Sequence, residues 1–156
     1  MAHSRTTTRL MVSRWHSTHR APIGWKVAFL LLTDGAGWDD LREQRILGVS
    51  TWGRPVARAE DQIGTLEHTR MALSPSAPKN SASWFISANR RWIREHMPQV
   101  RRLISYVDET DHLGVTYRAD NWHIVYRRQP SSGSWQSRPG REGRACVLRT
   151  KFERTP

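Results

Sequence analysis

Residues 65–107 read as strand, break, amphipathic helix and strand, and that order leaves little choice of fold. Thr65-Leu66-Glu67-His68-Thr69-Arg70-Met71-Ala72-Leu73 alternates as a strand, with Leu66, His68, Met71 and Leu73 imperfectly spaced. Ser74-Pro75-Ser76-Ala77-Pro78-Lys79 cannot be helical throughout, because each Pro turns its predecessor away from the helical region. Asn80 or Ser81 then caps a helix in which Ala82, Phe85, Ile86, Asn89, Ile93 and Met97 recur at helical spacing. Arg90, Arg91, Arg94 and Glu95 fall largely on its other face, and Pro98 stops it. Arg102 to Val107 is the second strand. A right-handed crossover makes the two strands parallel, with the helix on one sheet face. The carboxyl ends of the strands, near residues 70 and 107, then meet beside the start of the helix, where such sheets bind ligands.

The rest of the chain supplies more strands. Trp25 to Leu32 is a short apolar run suited to a buried strand, followed by turn chemistry at Thr33-Asp34-Gly35-Ala36-Gly37 and a polar hairpin loop over Asp39 to Arg45. Ile46 to Gly53 returns. Asp108 to His112 is a polar loop, Gly114 to Ala119 a short helix, and Trp122 to Tyr126 a strand. Residues 129–145, rich in Ser, Gly, Pro and Arg, read as loop, and Val147 to Phe152 as a final edge strand. Residues 1–12 are Thr-rich and basic, which predicts a loose arm or an early strand. Eight Trp help the 37% hydrophobic share fill one modest core within 156 residues. A single cysteine, Cys146, excludes a disulfide framework and a cysteine zinc cluster. No apolar run reaches the ~18–20 residues of a membrane span, and the amino terminus lacks the apolar core of a secretion signal. A soluble intracellular protein is expected.

Charge is unevenly spread. Residues 1–26 hold five basic residues and no acid; residues 27–126 hold twelve of each. Residues 127–156 hold eight basic residues against Glu142 and Glu153. Only Lys26, Lys79 and Lys151 of the 25 basic residues are Lys. Arg pairs with phosphate in bidentate fashion and stacks on bases, so cationic ends on a neutral body fit a polyanion, nucleic acid above all. Solubilising tails in a chain of Arg-rich composition would look the same.

Several constellations suit chemistry. Ala77-Pro78-Lys79-Asn80-Ser81-Ala82-Ser83 brings amide donors, a Lys and hydroxyls to a helix start, a setting for phosphate, although an ordinary capped helix reads alike. Asp108, with Tyr117 nine residues on, offers a carboxylate as base and a phenol as proton donor; a loop-capping Asp and a packing Tyr are the plainer alternative. Glu67 and Arg70, three apart on a strand, are expected on opposite faces, with Arg70 the better anchor for phosphate or carboxylate. His16 and His19, joined by Asp108, would make a two-His, one-carboxylate set of the kind that holds iron. Trp135 sits in a basic loop and could stack on an extruded base or close over the core.

Taken together, Thr65 to Leu73, Ala77-Pro78-Lys79-Asn80-Ser81-Ala82-Ser83-Trp84-Phe85, Leu103-Ile104-Ser105-Tyr106-Val107-Asp108 and His112-Leu113-Gly114-Val115-Thr116-Tyr117-Arg118-Ala119-Asp120-Asn121-Trp122 resemble the Mom proteins of bacteriophages and prophages. The last block is the most specific, with its Tyr-x-Ala-x-Asn-Trp run. The resemblance implies an α/β, GNAT-like single domain spanning residues 1–156, with a mixed central sheet, a long helix after the fourth strand, and flexible basic segments at 1–12 and 129–145.

The resemblance also implies a function: addition of a glycinamide-like (methylcarbamoyl) group to the exocyclic N6 amine of adenine in phage DNA, which masks the DNA from host restriction. Asp108, Tyr117, Ser83 and His16 would then be catalytic, and Arg70, Lys79, Asn80 and Ser81 would hold the donor. Arg14, Arg54, Trp135, Arg138 and Arg141 would bind double-stranded DNA, in the cytoplasm of a bacterial host, with an adenine extruded into the cleft. GNAT enzymes carry a Gly-rich loop before the long helix; Ala77 to Ala82 has no Gly and has Pro78 instead, which sets coenzyme A in question. The expected donor is an activated glycyl or acyl compound of unknown identity, with acetyl-CoA a further candidate donor and an iron ion a candidate cofactor. Two rival functions are a GNAT-like N-acetyltransferase acting on a small amine or protein, and a non-enzymatic DNA-binding antirestriction protein.

Overall fold

A computed structural model describes residues 5–33, 45–110, 112–128 and 148–156. The expected turn and hairpin loop over 34–44 and the loop at 129–145 lie outside them.

The strand–helix–strand unit forms as its pattern predicts. β3 (Thr65–Leu73) leads through α2 (Ser81–His96) to β4 (Arg102–Asp108), and the two strands pair in parallel. Ahead of them come α1 (Arg5–Trp15), β1 (Val27–Leu32) and β2 (Ile46–Gly53); after them come α3 (Val115–Ala119), β5 (His123–Arg128) and β6 (Arg149–Arg154). The sheet has six strands in the order β1-β2-β3-β4-β6-β5, antiparallel except for the β3–β4 pair. No helix among the described residues is long and apolar enough to cross a membrane.

Two hydrophobic clusters flank the sheet. Phe85, Ile86 and Ile93 are buried on α2, and the latter two join Trp52, Leu66, Leu103, Val107, Trp122 and Phe152 in one cluster. Met11 and Val12 of α1 meet Ile46, Val49 and Ala72 in the other.

Four expectations need correction. The amino-terminal segment is a helix, neither loose arm nor early strand, so α2 follows three strands among the described residues rather than four. Thr6, Thr7 and Thr8 favour extended backbone, but Thr8, Met11 and Val12 are buried on one stripe, and that packing overrides propensity. The carboxyl-terminal strand is not an edge. It is inserted between β4 and β5, with Thr150, Lys151 and Phe152 buried, and β5, exposed along nearly its whole length, is the edge instead. The third correction concerns β3. The pairing with β2 shifts at Thr69, since Trp52 lies opposite His68 while Thr51 lies opposite Arg70. This bulge explains why Leu66 and His68 fall out of step with Met71 and Leu73. It also puts Glu67 and Arg70 on one face, where strict alternation puts them on opposite ones. Finally, Asn80 takes the helix N-cap position in the left-handed region, φ 67°, and its side chain makes no capping bond.

Candidate functional site

The bulge at Thr69 opens the sheet. β3 and β4 are in register only from Thr65–Arg102 to His68–Ser105. Thr69 then turns β3 aside; its Oγ1 donates to the Thr51 carbonyl (3.0 Å) and lies 2.9 Å from Thr51 Oγ1, fixing the bulge to β2. Past this point the two strands no longer pair, and their carboxyl ends border an opening beside the start of α2.

Tyr117 sits where the registered pairing of β3 and β4 ends. Its hydroxyl lies 2.8 Å from His68 Nδ1 and accepts a hydrogen bond from Ser105 Oγ at 2.7 Å, so it bonds to both members of the last registered pair. The other ring nitrogen of His68 lies 3.0 Å from Ser50 Oγ, and Trp52 stacks on the imidazole with centroids 4.5 Å apart. Ser50, His68, Tyr117 and Ser105 thus form a continuous polar chain inside the sheet. His68 is only 4% exposed. Burial, aided by the nearby charge of His16, depresses its pKa to about 3, so the ring is neutral at physiological pH. Burial likewise raises the Tyr117 phenol to about 12, which keeps its proton in place.

The short helix carrying Tyr117 is fixed on three sides. Gly114 starts it at φ +67°, and a Cβ there would meet Phe152 Cζ at 2.5 Å, so both backbone and space demand glycine. The Tyr117 ring stacks on Phe152 and packs edge-on against Trp122. Asp120 accepts from Arg90 on α2 (Nε 3.1 Å, Nη2 3.3 Å) and from Trp122 Nε1 (2.9 Å). Much of the Tyr-x-Ala-x-Asn-Trp run is therefore scaffolding that aims one phenol.

The structure disperses other predicted site residues. Asp108 ends β4 and accepts the Thr110 N–H at 3.1 Å; strand alternation groups it with Tyr106, away from Ser105, so it is not coupled to the phenol. His16 follows α1 and takes a bond from the Thr18 N–H on Nδ1 at 3.1 Å, close enough for its charge to bear on His68. His19 Nδ1 pairs with the Ser13 carbonyl. Among the described residues no group of three or more His, Cys, Asp or Glu is placed to hold a metal, so His16, His19 and Asp108 do not assemble an iron site. Arg70 donates from Nε to the Arg20 carbonyl (3.2 Å), tying the segment after α1 to the far end of β3. Glu67 accepts the Val56 N–H, and burial raises its pKa.

At the start of α2, Lys79, Asn80, Ser81 and Trp84 line a shallow depression of about 260 Å³. Ser83 donates its hydroxyl to the Asn80 carbonyl at 3.0 Å. Asn80 supplies the positive φ that the missing glycine would give, and it leaves the first-turn amides without a side-chain cap. Those amides and Lys79 fit a phosphate. Arg14 is exposed in the last turn of α1, and Arg54 is exposed just after β2. Trp135, Arg138 and Arg141 lie outside the described residues.

Sequence reasoning missed His68, Ser105 and Ser50. His68 stood in plain view as a polar residue in phase with Leu66, a buried position whose ring nitrogens need partners. Its partners are 18 and 49 residues distant, beyond local pattern.

This architecture has parallels among solved structures. It is similar to ribosomal-protein-alanine N-acetyltransferase from Brucella melitensis, with TM-score 0.55 and 14% identity over 81% of this chain and 68% of that one. An acetyltransferase of the GNAT family from Bacillus anthracis gives TM-score 0.56 and 12% identity, covering 82% and 65%. NAA60 from Arabidopsis thaliana, in complex with acetyl-CoA, gives 0.56 and 10%, covering 85% and 78%. The chain thus spans about two thirds to three quarters of their length and shares the GNAT fold. Among curated proteins, none matches it in sequence. The family comparison is the more specific finding: residues 2–145 match the model of the Mom protein family, and the chain belongs to that family.

Proposed function

We propose that this protein modifies adenine in double-stranded DNA, transferring an activated glycyl or acyl group to N6 at the opening between β3 and β4. The observation that carries the chemistry is the Tyr117 hydroxyl, held by His68 and Ser105 where the paired strands part. Family membership supports adenine as the acceptor and a methylcarbamoyl group as the product, in which N6 is bonded to a methylene. The donor carbon attacked would be an activated methylene for that product and a carbonyl carbon for an N6-acyl one. The aromatic ring delocalises the N6 lone pair, so the amine needs a positioned, activated donor. As N6 forms its bond to the donor carbon, the bond from that carbon to the leaving group breaks. Tyr117 gives its proton to the leaving group, and the N6 proton goes to a base. Asp108, at the carboxyl end of β4 and apart from the phenol, enters as that base. Asp108→Ala is expected to abolish adduct formation with fold and DNA binding intact; retained adduct removes it from the reaction.

Lys79 and the uncapped amides at Ala82 and Ser83 would hold the phosphates of a coenzyme A-type donor, whereas the Ser81 N–H is taken by the Pro78 carbonyl. Such a donor when bound would supply a thioester carbonyl and so leave an N6-acyl group. Arg70, at the far end of β3, would anchor a carboxylate or phosphate of the donor.

DNA would lie along α1. This helix carries Arg5, Arg9 and Arg14 and no acid, ends at Trp15 just before His16, and the segment after it is tied to Arg70 through Arg20. It is ~16 Å long, close to five base-pair steps. Nucleoside mass spectrometry of DNA from cells expressing the protein tests the reading: a modified deoxyadenosine is expected. Unmodified DNA in a competent host would overturn it. Acetyl transfer to a small amine or protein, a reading the shared fold favours, would show as acetyl-CoA turnover without DNA.

A further inference from the structure

We propose that His68, backed by Ser50, is a positioning residue for this reaction, holding its proton on Nδ1 and donating it to the Tyr117 oxygen so that the phenol proton points into the opening. The proposal rests on the function above.

Both ring nitrogens of His68 are occupied, by Tyr117 and by Ser50, so the neutral ring has two satisfied tautomers. In one, Nε2–H donates to Ser50 and Nδ1 takes the Tyr117 proton; the phenol is then spent inward and has nothing to give. In the other, the Ser50 hydroxyl donates to Nε2, and Nδ1–H donates to the Tyr117 oxygen. That oxygen then accepts two bonds, from Nδ1–H and from Ser105 Oγ, whose one proton goes to Tyr117 at 2.7 Å in preference to the His68 carbonyl at 3.2 Å. The phenol proton is left for the cleft.

The second arrangement suits proton donation. When Tyr117 yields its proton to the leaving group, the O–H electron pair stays on the phenolate oxygen, and two preformed donors stabilise it. The donor carbon has by then gained its bond to N6 and lost its bond to the leaving group, so protons and electron pairs balance. The N6 proton passes to Asp108 or water, and the phenolate is reprotonated from water.

The surroundings favour a fixed, uncharged ring. Trp52 stacks on it at an interplanar angle of 28°, and Trp52 and Ser50 project from the same face of β2, which locks the ring plane and the Nε2 direction together. Charged or titratable neighbours come from every side: Glu67 and Arg70 on its own strand, His16 beyond α1, and Tyr117 on α3. Burial, more than any of these neighbours, keeps the imidazole neutral, so it acts by hydrogen-bond geometry.

Nitrogen-15 NMR of the wild-type protein reads the tautomer directly, without activity. The expected result is a neutral ring protonated on Nδ1 across pH 5–8, changing to the Nε2–H form in Ser50→Ala. An Nε2–H ring in the wild type, or titration near the ordinary histidine value, overturns the proposal. Kinetics on DNA give the second readout. His68→Phe is expected to lower kcat about 100-fold, the cost of removing one donor to a developing oxyanion, with KM for DNA unchanged. His68→Asn, whose amide N–H can reach the same oxygen, is expected to recover at least tenfold of that loss. A folded His68→Phe variant with wild-type kcat, or a loss carried by KM alone, overturns it. A wild-type protein that forms no adduct would instead overturn the proposed function, with the tautomer still read by NMR.

Discussion

His68 shows how one side chain links stability to chemistry. Folded, it resists protonation until about pH 3; unfolded, it takes a proton near the ordinary histidine pKa of ~6.5. Between those values the unfolded chain binds one more proton, so acid favours unfolding, and this contribution to stability is present above pH ~6.5 and lost as pH falls toward 3. Denaturant titrations of wild type and His68→Gln from pH 6 to 4 measure it. The wild type is expected to lose stability more steeply, by about 1.4 kcal/mol per pH unit, the worth of one proton. Parallel slopes would mean that the buried ring is not held neutral. At this scale the sequence was only half legible. Tyr117 was singled out and lies at the centre of the polar chain, while Asp108, chosen as its partner, bonds a turn amide instead. The chain of hydrogen bonds runs between residues far apart in sequence, and no spacing rule encodes that.

Among the elements, α3 depends most on a single tether. Asp120 and Arg90 are mostly buried and pair α3 with α2, and Trp122 adds a third bond. Asp120→Ala leaves the Arg90 guanidinium partly buried without its carboxylate, so unfolding free energy should fall by about 3–5 kcal/mol in denaturant titration. A loss below about 1 kcal/mol would mark the pair as no better than a surface bridge. Elements were the most legible level of the sequence. β2 and β3 match their expected spans, and β1, α2 and β4 differ by a residue or two at an end. α1 was hidden because three consecutive Thr speak for extended backbone, although Thr8, Met11, Val12 and Trp15 already carry a helical stripe. The bulge in β3 was written in the broken alternation of Leu66, His68, Met71 and Leu73, but its meaning depends on where β4 stops pairing, and that is tertiary information.

For the whole molecule, the proposed function gives the basic face of α1 the task of holding DNA. Arg5 opposes the helix dipole in the first turn, an arrangement that stability alone does not favour. Replacing Arg5 and Arg9 together by Ala is expected to weaken DNA binding and to reduce the slope of log affinity against log salt by about 0.9 for each phosphate no longer neutralised. Unchanged affinity and slope would detach α1 from the DNA. The cationic ends were legible as composition, but that the amino-terminal one is a helix packed on β2 and β3 became visible only with the strands in place.

The most direct measurement of the central claim is the yield of modified deoxyadenosine in DNA from cells expressing either the wild type or Tyr117→Phe, compared at equal levels of folded protein. The wild type should give an adenine adduct and Tyr117→Phe at least 100-fold less, since the variant keeps the ring and its packing but has no proton to give. Equal yields from the two proteins would place the chemistry elsewhere and contradict the account.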